Sequence, residues 1–356
     1  MGQRPFGADY TAKTLSDSLD EVATILCLYD GDTLIGLLRS IRGDRALGRT
    51  PDYPKVFRLD AFDGVPPAEV TFTSQLIIAP EWRSTRALGR LLEAVYAQGR
   101  QQRVWLDLVF CEASLVSLYE VMGYRRYLPN TVEVASGIRV PLALVADDVP
   151  YLKSTRSPLA RMAKDFPTDP QHGRWFAERF SAYAQPSCAR LMGVENFLGY
   201  ITERVHAHAD AMPLLAGLDA RERGEVLRAG TLIRAQRGDK VLRAGDAETE
   251  MYMLLSGAVE VRTASAKGAI QVVDTLGKGQ VFGEMSFLSG RKRSADIVAI
   301  SAVEVLALRR DMLEKLMSSA PAAASRLLLN LSMYLCERLH HTTRALVDFE
   351  REGRPA

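Results

Sequence analysis

The 356-residue sequence predicts an α+β protein with an N-terminal mixed α/β domain, a helical connector and a C-terminal β-roll, or jelly roll, with flanking helices. Three observations carry this. The length calls for two or three cores, since a domain commonly takes about 100–200 residues. The first part alternates short β-rich runs with helical ones, and further along Gly238, Gly245, Gly257, Gly268, Gly277 and Gly279 punctuate short β-rich runs as turns of a closed β structure do. The expected divisions are 1–165, 166–211 and 212–350.

In order, Ala23 to Tyr29 and Thr33 to Ile41 read as a hairpin around Asp30-Gly31-Asp32. Glu69 to Ile78 reads as a strand ended by Ala79-Pro80, feeding a helix from Arg83 in which Leu88, Leu91, Leu92, Val95 and Tyr96 recur at helical spacing. Val104 to Phe110 is a further strand. Ser114 to Met122 is a helix with Leu115, Leu118, Tyr119 and Met122 on one stripe, closed by Gly123 where a C-terminus favours positive φ. Pro158, Pro167, Pro170 and Pro186 break a helical connector. Leu313 to Leu346 returns to helical spacing, with Pro321 at a helix start and Leu328, Leu331, Leu335, Leu339 and Leu346 on one face, a stripe available as a homodimer seam.

Composition excludes several classes. With 47% hydrophobic and 25% charged residues the chain is globular, and 45 Lys+Arg against 43 Asp+Glu give a net charge of only +2, too little field to favour nucleic acid or an anionic membrane. No signal peptide or 18-residue apolar run is present, so a cytoplasmic protein with no membrane span is expected, and Phe6 breaks a myristoylation motif. Cys27, Cys111, Cys188 and Cys336 form no CxxC and read as buried thiols. His206 and His208 would point about 200° apart on a helix and His340-His341 lack a third ligand, so no metal is expected.

The chemistry concentrates in Phe282-Gly283-Glu284-Met285-Ser286 and Arg293-Ser294-Ala295. Gly283 permits a tight turn, and Arg293 supplies a permanent, planar cation for a phosphate. Glu284 can accept from a sugar hydroxyl and hold the arginine by its charge. These residues resemble the phosphate-binding cassette of the cyclic-nucleotide-binding domain, F-G-E followed by R-[AS]-A, and the likeness extends over about a hundred residues, including Met212 to Leu218, Gly238 to Gly245 and Met251 to Gly257. It implies a cyclic nucleotide, cAMP or cGMP, as effector. Glu284 would take the ribose 2′-hydroxyl, Arg293 the cyclic phosphate, and Ser294 with the amides of Met285 and Ser286 the other phosphate oxygens. Asp296 stands where many binders have Thr or Ser, and an acid beside a phosphate weakens binding. Too few residues follow Leu346 for a helix-turn-helix, so no DNA contact is expected.

In the N-terminal part, Arg83-Ser84-Thr85-Arg86-Ala87-Leu88 lies between a strand and a helix, where free backbone amides can meet a pyrophosphate or a pantetheine arm. This turn, with Leu118-Tyr119 to Gly123-Tyr124, resembles the GNAT acyltransferases. The likeness is closer to the N-acyl amino acid synthases and acyl-homoserine-lactone synthases, through Gly36 to Arg39, Ser74-Gln75-Leu76, Val140 to Leu144 and Ser157 to Leu159. It implies transfer of an acyl group from acyl-CoA or acyl-carrier protein to a small-molecule amine or a protein lysine. Tyr119 would protonate the departing thiolate, and residues 83–88 would hold the carrier. Ser84 and Arg86 replace glycines, Phe72 replaces an acid and Gln75 an arginine, which leaves Glu69 and Glu112 as candidate bases. A regulated N-acyltransferase and a non-catalytic, cyclic-nucleotide-responsive module with a degenerate transferase domain both stand as readings.

Overall fold

The computed structural model describes residues 8–9, 14–15, 18–50, 53–82, 85–128, 132–134, 137–184, 186–206, 212–264 and 268–352. The N-terminal domain is built on a seven-stranded sheet. β1 (Thr24–Asp30) and β2 (Thr33–Arg42) form the expected hairpin, with Gly31 at φ 56° in its turn. β3 (Val70–Ile78) lies antiparallel to β2, and the register slips between Leu37↔Ile77 and Arg39↔Ser74, leaving one extra residue on β3. Gln75 in that bulge has φ 48°, a value rare outside glycine.

The next helix, α1 (Ala87–Gln101), buries Leu91, Leu92, Val95 and Tyr96 against the sheet. It begins at Ala87, after a bend at Thr85 and Arg86 where the Thr85 hydroxyl accepts the Ala87 amide at 3.1 Å. β4 (Leu106–Cys111) runs parallel to β3, paired only from Val70↔Leu106 to Thr73↔Val109. α2 (Val116–Met122) then closes at Gly123, φ 110°, where an added Cβ would lie 2.4 Å from Leu152 Cδ2. β5 (Arg125–Arg126), β6 (Val132–Val134) and β7 (Gly137–Val145) complete the sheet in the order β1-β2-β3-β4-β7-β5, with β6 on β7.

The expected connector divides between the two domains. α3 (Pro170–Phe180) buries Phe176 and Phe180 in the first domain's core beside Phe62 and Tyr127. α4 (Val194–His206) buries Phe197 and Ile201 against the second. His208 and the His206 side chain lie outside the described residues, as do Arg83 and Ser84.

After α5 (Ala220–Arg228), the roll consists of two four-stranded antiparallel sheets. One orders β8 (Thr231–Ala235), β15 (Val303–Leu308), β10 (Met251–Ser256) and β13 (Val281–Phe282). The other orders β9 (Lys240–Leu242), β14 (Asp296–Ala299), β11 (Val259–Ala264) and β12 (Ile270–Leu276). α6 (Glu284–Ser289) sits between β13 and β14, and α7 (Arg310–Ser319) and α8 (Pro321–Glu352) follow.

The leucine stripe of α8 changes surroundings along its length: Leu331 is buried and Leu335 packs on the core of the roll, while Leu339 is exposed. One expectation about side chains fails. Cys27, on the edge strand β1, and Cys336, on the outer side of α8, are exposed thiols. No helix among the described residues is long and apolar enough to cross a membrane. One apolar cluster runs from α1 and α2 into the roll, reaching Ile233, Val241 and Tyr252. The short turn Ala113–Leu115 packs on β8 and β15, and β7 packs on β9.

Candidate functional site

Gly283 adopts φ 76° and turns the chain from β13 into α6. A Cβ there would meet the Arg293 Nη1 atom at 2.8 Å and the Glu250 carbonyl oxygen at 2.9 Å, so only glycine admits the arginine this close. Arg293 is buried. Its Nη1 donates to the carbonyls of Glu250 at 2.7 Å and Gly283 at 3.0 Å, and its Nη2 faces Glu250 Oε2 at 3.4 Å. Nε is buried with no partner among the described residues. A buried guanidinium with one unused N–H on its Nε–Nη2 edge is a fork suited to an oxyanion.

Glu284 is also buried, which pushes its carboxyl above the usual range, while Arg338 on α8 pulls it back at 3.2 Å. The expected pairing of Glu284 with Arg293 is therefore corrected: Glu250 holds Arg293, and Arg338 holds Glu284. Met285 and Ser286 lie in the first turn of α6, whose amides have no acceptor within the helix. Ser286 is buried, and Ser294 is exposed with its hydroxyl 3.9 Å from Met285 Sδ. The stacked rings of Tyr252 and Phe282, 5.2 Å apart, form the floor beneath Arg293. Asp296, the first residue of β14, accepts the Ala244 amide at 2.7 Å and pairs with Lys240 on the neighbouring β9 at 3.0 Å. Its charge is thus compensated.

Residues 232–320 match the family described as Cyclic nucleotide-binding domain. This part of the chain is a cyclic nucleotide-binding domain. Over 146 residues the chain is 31% identical to Glutaminase 2 of Bradyrhizobium diazoefficiens, a match covering 41% of this chain and 23% of that protein. Over 154 residues it is 27% identical to a cAMP-dependent protein kinase regulatory subunit of Mycosarcoma maydis, covering 38% of this chain and 29% of that one. The chain thus spans less than a third of either relative. Among solved structures, a cyclic nucleotide-binding domain from Methylobacillus flagellatus is similar at 25% identity, with a TM-score of 0.39 over 42% of this chain and 84% of that one.

The cyclic nucleotide-binding domain abuts the second candidate site. Tyr119 is 2% exposed, its ring edge-on to Tyr124 at 5.1 Å, and burial pushes its phenol far up. Glu112, at the end of β4, lies close enough that its charge adds to that shift, and Arg139 faces it at 3.5 Å. Glu69 does not join them. It lies before the first residue of the nine-residue β3 and accepts the Trp105 indole N–H at 2.7 Å, about 30 Å from the far end of the strand at ~3.3 Å per residue. In the turn, Thr85 and Arg86 are exposed, whereas Ala87 is buried and Leu88 packs on the core, so their side chains are not available to a carrier.

Sequence reasoning missed Asp107, Glu250 and Arg338. Asp107 is buried and accepts from Thr71 at 2.7 Å, Thr73 at 2.8 Å and Tyr124 at 2.6 Å, yet burial still pushes it up to about 6. The polar Thr71 and Thr73 on the face opposite Phe72 were the available signal. The structure does join two residues of the synthase-like pattern, since Arg39 Nε donates to the Ser74 hydroxyl at 3.1 Å and Arg39 Nη1 to Asp20 at 2.8 Å.

Proposed function

We propose that this chain is an N-acyltransferase whose activity is set by cAMP or cGMP bound in its C-terminal domain. The ligand would place its phosphate on the Nε–Nη2 edge of Arg293 and its ribose hydroxyl on Glu284. The observation that carries the transferase reading is the parting of β3 from β4. The ladder with β4 ends at Thr73↔Val109, while β3 itself runs on to Ile78. Backbone groups on the β4 side of Ser74 to Ile77 can offer hydrogen bonds to the amides of an extended pantetheine arm. The amine nitrogen would attack the thioester carbonyl, the carbon–sulfur bond would break, Glu112 would accept the amine proton, and Tyr119 would give one to the leaving thiolate.

Titration calorimetry with cAMP and cGMP tests the effector. Release of free thiol from acyl-CoA, or of free acyl-carrier protein, in a mixture of amines tests the transfer, with and without the nucleotide. Turnover that changes on adding nucleotide supports the reading, and its absence under every condition leaves the second one. That second reading, a signalling module without catalysis, draws support from the burial of Tyr119, which leaves little room for a leaving group at its hydroxyl.

A further inference from the structure

The loop between β9 and β10 carries Glu248 and Glu250, two residues apart, and it is tied to the cassette. The Arg293 amide donates to the Asp246 carbonyl and the Gly245 amide to the Arg293 carbonyl, both at 2.8 Å. Glu250 faces inward to Arg293, while Glu248 faces the other domain, where Arg139 on β7 meets its Oε1 at 2.9 Å. Both partners of that bridge are largely buried, at 12% exposure each. The second nitrogen of Arg139 reaches Glu112 at 3.5 Å. A series of charges therefore runs Arg293, Glu250, Glu248, Arg139, Glu112, its two neighbouring glutamates linked by their shared loop and by repulsion rather than by contact, and it ends where the chain enters α2.

The series is poised for competition. A phosphate taking the Nε–Nη2 edge of Arg293 must contest Nη2 with the Glu250 carboxylate, because two anions cannot both occupy one edge of a guanidinium. The displaced carboxylate stays in the same short loop as Glu248. Glu248 is already crowded: burial first, then the charges of Glu250 and Glu112, push it up to about 7 against the pull of Arg139 and Arg293. A change at Glu250 is thus felt in how firmly Glu248 holds Arg139.

We propose that the Arg139–Glu248 bridge is the contact through which phosphate binding at Arg293 acts on the N-terminal domain, with Glu112 as its far anchor. This rests on the reading that the C-terminal domain binds a cyclic nucleotide. Arg139 and Glu248 are positioning residues here, and by linkage whatever the ligand does to their bridge, the bridge does to ligand affinity.

The test uses the full chain, with cAMP and cGMP titrated by calorimetry and hydrogen exchange followed at residues 113–122 and 137–145. In the wild type, saturating nucleotide should change exchange in both segments at least about twofold. Glu248→Gln removes an anion near the phosphate and should tighten binding about three- to tenfold, while Arg139→Gln should weaken it by a similar factor, and both should lose the exchange response. If both variants keep the wild-type exchange response, or if the wild type binds nucleotide with no N-terminal response, the inference is overturned and the binding reading stands. If the wild type binds neither nucleotide, the binding reading itself falls and takes the inference with it. Should Arg139→Gln fail to fold, the near-isosteric Glu248→Gln decides alone.

Discussion

Arg338 on α8 pairs with Glu284 at 3.2 Å and with Asp274 on β12 at 3.1 Å, so the last helix is clipped to the carboxylate assigned to the ribose. Burial works against the charge on Glu284, and Arg338 works for it. In Arg338→Gln the carboxyl should therefore protonate at a higher pH than in the wild type. Nucleotide affinity, which needs the ionised acceptor, should be lost earlier as pH is lowered. Dissociation constants measured by calorimetry across about pH 5 to 8 check this, and coincident profiles for the two proteins would count against Glu284 as the ribose ligand.

Arg293→Ala should weaken nucleotide binding more than about a hundredfold, and it should also cost stability, because Glu250 would be left buried without its cation. Breaking a buried pair from one side commonly costs about 3–5 kcal/mol. Adding Glu250→Gln should recover most of that stability without restoring binding. Chemical denaturation and calorimetry on the single and double variants separate the two effects. Wild-type affinity in Arg293→Ala would remove the phosphate assignment.

Tyr119→Phe should leave stability nearly unchanged, since the hydroxyl makes no hydrogen bond among the described residues. If the chain transfers acyl groups as proposed, the same change should lower thiol release by roughly a hundredfold or more, within the range of general-acid contributions. Donor affinity should hardly move. Undiminished turnover would eliminate Tyr119 as the proton donor.

Asp107 gives a signed dependence of stability on pH. Its carboxyl sits at about 6 in the folded chain, above the ~3.9 of an unfolded aspartate, because burial outweighs its three hydroxyl donors. Between these values the folded state binds more protons than the unfolded one, so this group stabilises progressively as pH falls from about 6 to 4 and costs stability above. Asp107→Asn should flatten that slope relative to the wild type in urea unfolding at stepped pH. An unchanged slope would show that Asp107 is not the buried carboxyl responsible.

The parts of this molecule legible in its sequence are those fixed by neighbours in the chain. The hairpin at Asp30-Gly31-Asp32, the stop at Gly123 and the spacing from Glu284 to Arg293 each depend on local backbone geometry. The partners of the two cassette charges were not legible. Glu250 precedes Arg293 by 43 residues and Arg338 follows Glu284 by 54, and only closure of the roll brings either pair together. Glu69 was misplaced for a similar reason: adjacency to a strand does not say which end of the sheet a side chain will share with the chemistry. Tyr119 sits on an apolar helix stripe, which suits both a core and a reaction site, and the structure packs its ring into the apolar cluster. Arg139 and Glu248, 109 residues apart, belong to a domain contact that no local pattern announces.

The apolar cluster shared by α1, α2 and the roll bears on how such chains are rearranged. A β-roll transplanted from another protein would have to bring a surface matching Ala113–Leu115 and β7, or leave greasy area open to water on both sides of the junction. The two halves should consequently melt together in a single calorimetric transition rather than as independent beads on a string.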